Sequence, residues 1–228
     1  MSGVKMHRRG AGIAAALFAG VLSAQTASAA VFTLDDVTLP GDPVTIVNGF
    51  NDNDTASGPP PAAEGVTNAI DNTTNKYLNF LDYGSGFVVT PTGRTSNGTL
   101  PTIVEAIRLY AANDAPARDP ASFLLEGAAT PNGPFTFIAA NNVSLGARNA
   151  AGQPVTTENI NNLNFVTISF PNNTPYFAYR VTFPTVVNGA SDIGMQVAEV
   201  ELLGTIVPEP ASLGLVCVGA LGLLRRRR

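Results

Sequence analysis

The chain has 228 residues, enough for one domain of ordinary size with targeting segments at its ends. Between those ends, residues 31–205 carry six basic and sixteen acidic side chains, and a net charge of −10 disfavours nucleic-acid binding. The only histidine is His7 and the only cysteine is Cys217, so this region has no group for Ser-His-Asp or Cys-His catalysis, for a disulfide or for an imidazole-bound metal.

The first residues have the pattern of a signal peptide. A positively charged start is followed by an apolar stretch over residues 11–24 and by the small residues Ala27-Ser28-Ala29. We therefore expect residues 1–29 to direct export through the Sec machinery and to be removed by cleavage after Ala29 or Ala30.

Residues 30–206 are predicted to form an all-β sandwich. Short β-prone runs alternate with turns rich in Gly, Pro and Asn, and no convincing helix lies between the two ends. Strands are predicted at Val31–Leu39, Val44–Val47, Tyr77–Leu81, Phe87–Thr90, Thr102–Ala111, Ala121–Gly127, Phe135–Ala140, Phe165–Phe170, Phe177–Pro184 and Met195–Leu203.

Some of these segments need a choice between readings. Thr102–Ala111 also fits a helical spacing, but its β-branched residues favour a strand. Asn48–Gly65 and Asn149–Asn162 are predicted loops, and Gly84-Ser85-Gly86 is a predicted turn. In the last strand, Val197, Val200 and Leu202 can face inward, while Glu199 and Glu201 share the other face.

The C-terminal tail, residues 207–228, combines three parts in order: Pro208-Glu209-Pro210, an apolar run over residues 211–224, and four arginines. The prolines keep the first part extended. A helix of the apolar run would be roughly 21 Å long, shorter than a bilayer core of roughly 30 Å. The arginines are costly to move across a bilayer, so the C-terminal end of the tail is expected to stay in the cytoplasm.

This order of parts resembles the PEP-CTERM sorting signal of Gram-negative bacteria. The resemblance implies processing by an exosortase, transient residence of the tail in the inner membrane, and a final location at the cell surface or outside the cell. It also implies a connection with exopolysaccharide and biofilm matrix. The alternative is an ordinary tail anchor in which Pro208-Glu209-Pro210 occurs by chance.

A second resemblance lies in the body, over about Asn68–Gly204. It is carried by Ala69 and Asp71, Phe123–Ile138, Tyr179–Val181 and Ala198–Glu201. These segments are similar to the discoidin-like, galactose-binding jelly roll found in coagulation-factor C domains and many carbohydrate-binding modules. The resemblance implies a jelly-roll β-sandwich.

The same resemblance implies a structural calcium ion. Asp71 and Glu199 would supply side chains and Ala198 a carbonyl oxygen, with Asn72 and Asn75 completing the loop, and such oxygen ligands suit Ca²⁺. This chain departs from the family pattern at Lys76, whose charge would compete with the ion. In the alternative reading, Asp71 caps a turn and Glu199 is a surface residue of a strand.

Ligand-binding candidates are Arg94, Arg118 and Tyr77, since sugar sites combine polar side chains with aromatic platforms. The chain has no Trp. Arg118 also fits a structural reading in which it holds its own loop through Asp119.

Three functions remain open from the sequence. The first is a non-catalytic surface or matrix protein that binds exopolysaccharide or another glycan. The second is a secreted glycan hydrolase that uses carboxylates, and the third is a structural coat protein without a specific ligand. The missing His and Cys argue against an enzyme, and no cofactor other than calcium is expected.

Overall fold

A computed structural model describes residues 34–47, 61–81, 83–92, 100–191 and 193–207. Within these ranges the strands are β1 Asp35–Asp36, β2 Val44–Val47, β3 Tyr77–Asn79, β4 Ser85–Val89, β5 Thr102–Tyr110, β6 Ser122–Ala128, β7 Thr136–Asn142, β8 Phe165–Ser169, β9 Ala178–Phe183, β10 Met195–Val197 and β11 Val200–Ile206. Short 3₁₀ helices lie at Ala62–Glu64, Val66–Ile70, Pro116–Arg118 and Ile160–Asn162.

The strands form an antiparallel sandwich, which confirms the predicted all-β jelly-roll class. The front sheet has the order β1-β11-β5-β8 and the back sheet has the order β2-β4-β9-β6-β7. A short pair, β10 with β3, lies beside them. The main core joins apolar side chains of both sheets, among them Ile107 and Leu202 from the front sheet and Leu125 and Val181 from the back sheet.

Strand β5 shows how the front sheet separates two environments. Ile107 and Leu109 belong to the main core, and side chains alternate along a strand, so Arg108 and Tyr110 lie on the opposite face. We call that face the outer face. Its register is fixed by β11, which pairs Glu201 with Arg108.

The outer face is partly covered by residues 143–164, which connect β7 to β8 and which we call the cover segment. Val155 and Leu163 from this segment pack with Tyr110 and Ala198 in a second, smaller apolar cluster. Asn149 fixes its base, donating from Nδ2 to Ala111 O at 2.8 Å. The predicted loop Asn149–Asn162 is therefore an ordered part of the fold that ends in a 3₁₀ turn.

Most predicted strands are present, including Val44–Val47 and the ambiguous segment around β5, and three local predictions are wrong. Within the described part of Val31–Leu39, only Asp35–Asp36 pairs as a strand. Ser85 and Gly86 begin β4 instead of forming a turn. The glycine at position 86 serves close packing against β9, since an added Cβ would be 2.0 Å from Val181 O. The short 3₁₀ helices were not predicted, since so few residues carry no periodicity.

The third wrong prediction concerns the last strand, and it matters for function. Met195–Leu203 is interrupted at Ala198 and Glu199, which separate β10 from β11. Backbone pairing continues across the break through Tyr110, whose N–H donates to Glu199 O at 2.9 Å and whose carbonyl accepts from Ala198 N at 3.0 Å. Both Glu199 and Glu201 are buried instead of facing solvent.

Candidate functional site

The loop of residues 71–75 is shaped by its own side chains. Asp71 Oδ1 accepts hydrogen bonds from Thr73 N at 2.8 Å and from Thr73 Oγ1 at 2.7 Å. This turn is typical of an aspartate that replaces a backbone acceptor. Asn72 has the left-handed φ of +56°, a conformation that asparagine tolerates better than most residues. The predicted turn-capping role of Asp71 is thus present.

Glu199 closes this loop from the break between β10 and β11. Its Oε2 atom accepts from Asp71 N at 3.0 Å and from Asn72 N at 3.1 Å. Its Oε1 atom is buried and has no hydrogen-bond partner among the described residues. A buried carboxylate oxygen without a partner is costly, which is the feature that a bound cation would correct.

The electrostatic surroundings of Glu199 favour positive charge. Burial raises the pKa of the Glu199 carboxyl well above its usual range, and the neighbouring carboxylates of Asp36, Asp71 and Glu201 raise it further. The hydrogen bond from the backbone amide of Asp71 lowers this pKa, but only in part.

The residues that the sequence assigned to calcium therefore converge. Asp71, Asn72 and Glu199 are joined by direct hydrogen bonds, and Ala198 adjoins Glu199 in the buried strand break. In the described ranges, no three His, Cys, Asp or Glu side chains are grouped as metal ligands. A calcium ion here would thus draw most of its six to eight oxygens from carbonyl groups and water.

Lys76 lies differently from what the sequence suggested. Its Nζ atom is 2.8 Å from Asp114 Oδ2 and 3.4 Å from Glu64 Oε1. The lysine that departs from the family pattern is therefore engaged with carboxylates other than Asp71 and Glu199.

Glu201, two residues beyond Glu199, has an arginine and a tyrosine as partners on the outer face. Its Oε2 atom accepts from Arg108 Nη1 at 2.6 Å and from Tyr110 Oη at 3.0 Å. Arg108 also donates from Nε to Thr167 Oγ1 at 2.9 Å and lies 4.9 Å from the centre of the Phe165 ring. The sequence did not indicate this cluster, because its members meet only through the pairing of β11, β5 and β8.

Tyr77 is in the core, which corrects its assignment as a ligand-binding residue. The side chain is 1% exposed, packs edge-on against Phe87 and donates to Gly86 O at 3.2 Å. Burial raises the pKa of the Tyr77 hydroxyl to about 12, although the hydrogen bond from Asn79 opposes this. Its ring has no surface to offer a sugar in the folded domain.

The two arginines assigned to ligand binding have different outcomes. Arg118 ends a 3₁₀ turn, is half-buried and lies 5.9 Å from the centre of the Phe80 ring. Asp119, the expected partner of Arg118, is bound by Arg148 through two hydrogen bonds of 2.7 and 2.5 Å. Arg94 lies outside the described residues, so its role stays a prediction.

The body ends where the tail begins. Strand β11 runs to Ile206, and Val207 N still donates to Pro101 O at 2.9 Å. Residues 207–228 match the PEP-CTERM protein-sorting motif. This motif implies export and sorting by an exosortase, as its resemblance predicted.

Pro208, Glu209 and Pro210 belong to the matched stretch but lie outside the described residues, as do the predicted signal peptide and tail helix. In the part of the chain that the structure describes, no helix has the length and apolar character needed to span a bilayer.

Several solved carbohydrate-binding domains are similar to the chain in fold. One is a carbohydrate-binding module from Clostridium perfringens in complex with GalNAc-β-1,3-galactose, with 13% identity, a TM-score of 0.47, and coverage of 72% of this chain and 97% of that one. A family 32 module from C. perfringens NanJ in complex with galactose has 11% identity, a TM-score of 0.46, and coverage of 71% and 93%.

A fucolectin from striped bass (Morone saxatilis) serum has 16% identity, a TM-score of 0.47, and coverage of 78% of this chain and 52% of that one. No curated protein matches the chain. The similarity to solved structures concerns the fold, at identities too low to transfer a ligand.

Proposed function

We propose that this protein is a non-catalytic, glycan-binding protein that an exosortase releases to the cell surface or extracellular matrix. The observation that carries the proposal is the sorting motif at residues 207–228, which follows β11 directly. A sandwich attached this closely to its sorting signal is held at the outer surface of the inner membrane until the tail is processed. Export of the whole β-sandwich then makes an extracellular polysaccharide the natural class of ligand.

The sorting step is tested in a bacterium that has an exosortase. Replacing Pro208-Glu209-Pro210 with three alanines is expected to leave a full-mass precursor in the inner membrane, whereas Ser212→Ala is the control within the same tail. Cell fractionation and mass determination measure both outcomes. Normal release of the triple variant would show that the tail is an ordinary anchor.

Glycan binding is tested with the full-length chain purified in detergent and applied to exopolysaccharide from the producing cells and to a glycan array. Retention on a polysaccharide is expected. Failure to bind any glycan would favour the alternative of a structural coat protein.

The non-catalytic assignment is supported by the ion pairs and the burial of four carboxylates. Glu126, Asp119 and Glu201 are each paired with an arginine, and Glu199, whose raised pKa would suit a general acid, is fully buried. A general acid must reach within hydrogen-bond distance of its substrate. Release of reducing sugar from bound glycan would overturn this assignment in favour of a hydrolase.

We also propose that Asp71, Asn72, Ala198 and Glu199 hold a structural calcium ion. The buried, unpartnered Oε1 of Glu199 supports this site, because calcium would supply the missing partner and neutralise the surrounding carboxylates. The ion would fasten the loop of residues 71–75 to the break between β10 and β11.

Two other assignments remain part of the proposal. Arg118 and Arg94 are retained as candidate ligand contacts on the loops, whereas Tyr77 is not. Replacing each arginine by glutamine and measuring retention on the bound polysaccharide tests them separately.

A further inference from the structure

The cover segment meets the edge strand β8 in a cavity of about 300 Å³ that none of the sites above uses. The described residues that line this cavity are Gly146, Ile160, Asn161, Leu163, Asn164 and Phe165. All of them belong to the cover segment except Phe165, which is the first residue of β8. The volume is at the lower end of the range for small-molecule sites, roughly 300–1,000 Å³, so a small ligand fits it.

Phe165 gives the cavity an exposed aromatic wall whose position is fixed. The residue is 38% exposed, although its ring lies beside the buried Tyr110 with the ring centres 5.2 Å apart. The guanidinium of Arg108 lies 4.9 Å from the centre of the Phe165 ring, and Arg108 is itself bound to Glu201 at 2.6 Å. An aromatic ring held in this way offers its free surface to a ligand with little loss of side-chain freedom on binding.

Gly146 forms an open side of the cavity, and its backbone is tied to the rest of the fold. Its carbonyl accepts from Arg148 Nη2 at 3.0 Å, and Arg148 is bound to Asp119 through two hydrogen bonds. A Cβ added at Gly146 would have no atom of another described residue within 4 Å. The missing side chain therefore leaves space for a ligand, and a larger residue at this position would occupy that space.

Two asparagines bring hydrogen-bonding groups to the cavity. Asn164 donates from Nδ2 to Arg148 O and to Asn149 Oδ1, both at 3.3 Å, which leaves its Oδ1 atom to accept from a ligand. Asn161 lies in the short 3₁₀ turn of the cover segment and is exposed, so its amide offers both donors and an acceptor. The cavity thus combines one fixed aromatic surface with amide groups on its other walls.

This lining matches the chemistry of a neutral sugar. None of the described residues in the lining carries a charge, and the nearby Arg108 is paired with Glu201. A pyranose ring has an apolar face of C–H groups and a rim of hydroxyls, so it requires an apolar surface beside donors and acceptors. Phe165, Asn161 and Asn164 supply these groups around one cavity. An anionic sugar is disfavoured, because the acidic body repels it and the described lining has no cation to pair with it.

We propose that this cavity binds one neutral hexopyranose unit of a polysaccharide, with the C–H face of the sugar on Phe165 and its hydroxyls on Asn161 and Asn164. The inference rests on the proposed glycan-binding function and adds to it a place and a class of sugar. The place differs from the loop candidates Arg94 and Arg118, which belong to other segments.

The class of sugar is tested by isothermal titration calorimetry on the full-length chain, in a detergent without a sugar headgroup. The probes are the methyl glycosides of glucose, galactose and mannose, each with the uronic acid of the same configuration. At least one neutral glycoside is expected to bind, and its uronic acid is expected to bind at least roughly tenfold more weakly because the carboxylate would stay unpaired. Binding of none of the neutral glycosides, or equal binding of the uronic acid, would overturn the proposal.

Variants at the aromatic wall locate the site. Phe165→Ala is expected to weaken binding of the neutral glycoside roughly tenfold or more, and Phe165→Tyr, which keeps the ring, is expected to retain it. The matched control is Phe137→Ala, because Phe137 is 64% exposed on β7, the edge strand of the other sheet. Asn161→Ala is expected to weaken binding roughly two- to tenfold, the scale of one hydrogen bond. A loss of affinity in Phe137→Ala as large as that in Phe165→Ala would place the sugar elsewhere.

Gly146→Leu separates binding from stability, because it removes no contact of Phe165 and places a side chain in the open space. This variant is expected to bind the neutral glycoside at least roughly tenfold more weakly. Its melting temperature is expected to stay within roughly 4 °C of the parent, as for an exposed substitution. Ala147→Leu, at the next exposed position and outside the lining, is the control and is expected to bind as the parent does.

The same variants distinguish this inference from the proposed function. Polysaccharide retention that is unchanged in both Phe165→Ala and Gly146→Leu would overturn this site and leave the glycan-binding function intact. No binding of the parent to any glycan would overturn both.

Discussion

Two buried glutamates, separated by one residue in the chain, are stabilised in opposite ways. Glu201 accepts hydrogen bonds from Arg108 and Tyr110, so its charge has a partner within the protein. Glu199 accepts two backbone amides with one oxygen and has no partner for the other among the described residues. Both residues are at most 7% exposed, so solvent does not account for the difference.

The difference separates a completed ion pair from a carboxylate that, in the proposed calcium site, an outside cation would complete. A buried carboxylate is tolerated when an arginine neutralises it, as at Glu201. At Glu199, burial raises the pKa, and the neighbouring carboxylates of Asp36, Asp71 and Glu201 raise it further. The comparison predicts that the outer face depends on the protein's own residues and that the loop of residues 71–75 depends on calcium.

The largest expected effect comes from breaking the completed pair. Arg108→Ala leaves Glu201 buried without a cation and is expected to lower the free energy of unfolding by about 3 kcal/mol, the scale measured for broken buried pairs. Chemical denaturation of the full-length chain measures the loss. The double variant Arg108→Ala/Glu201→Gln removes the uncompensated charge and is expected to recover part of it. A single variant as stable as the parent would mean that the pair is solvated.

The second-largest effect is expected from calcium binding at Glu199, the other buried glutamate. Calcium at about a hundredfold above its dissociation constant is expected to stabilise the domain by about 2.7 kcal/mol. For a domain of this size, that raises the melting temperature by roughly 5–10 °C. Scanning calorimetry with calcium and with EDTA measures it.

Asp71→Ala and Glu199→Gln are expected to abolish the calcium response, whereas Glu158→Gln, at an exposed position, is expected to keep it. Glutamine retains an acceptor for the amides of Asp71 and Asn72, so Glu199→Gln separates loss of charge from loss of structure. A melting temperature of the parent that is indifferent to calcium would contradict the metal site.

The third effect is a dependence of stability on pH in EDTA. The pKa of Glu199 is raised on folding, so the folded state binds a proton that the unfolded state has released between the ordinary carboxyl pKa and the raised one. The free energy of unfolding contributed by this group is therefore highest at acidic pH and falls as pH rises, by at most about 1.4 kcal/mol per pH unit. Glu199→Gln is expected to remove this slope, and a slope that persists in the variant would assign it to another group.

The smallest effect is expected at Lys76. Its partner Asp114 is half exposed, so Lys76→Gln is expected to cost about 0.5 kcal/mol or less. Calcium affinity, measured by titration calorimetry, is expected to change less than roughly twofold because Lys76 is paired elsewhere. A marked gain in affinity would show that the lysine competes with the ion after all.

Local pattern predicted much of the fold. Alternation and β-branched residues placed β2, β5, β6 and β9, because a strand half-buried in a sandwich imposes a period of two. The same rule failed at Met195–Leu203, where periodicity cannot show a break. It also missed the cover segment, whose polar composition is that of an ordinary loop until its contacts with residues 72–74 are known.

The sequence by itself determined the sorting motif at residues 207–228, the acidic, cysteine-free body and its β class, since these follow from composition and from order along the chain. Tertiary structure decided which acid has which partner. Arg108 reaches Glu201 across 93 residues because β5 and β11 pair in one register. Glu199 meets the amides of Asp71 and Asn72 because the strand breaks there. Contacts between distant segments depend on register and packing, which no local pattern encodes.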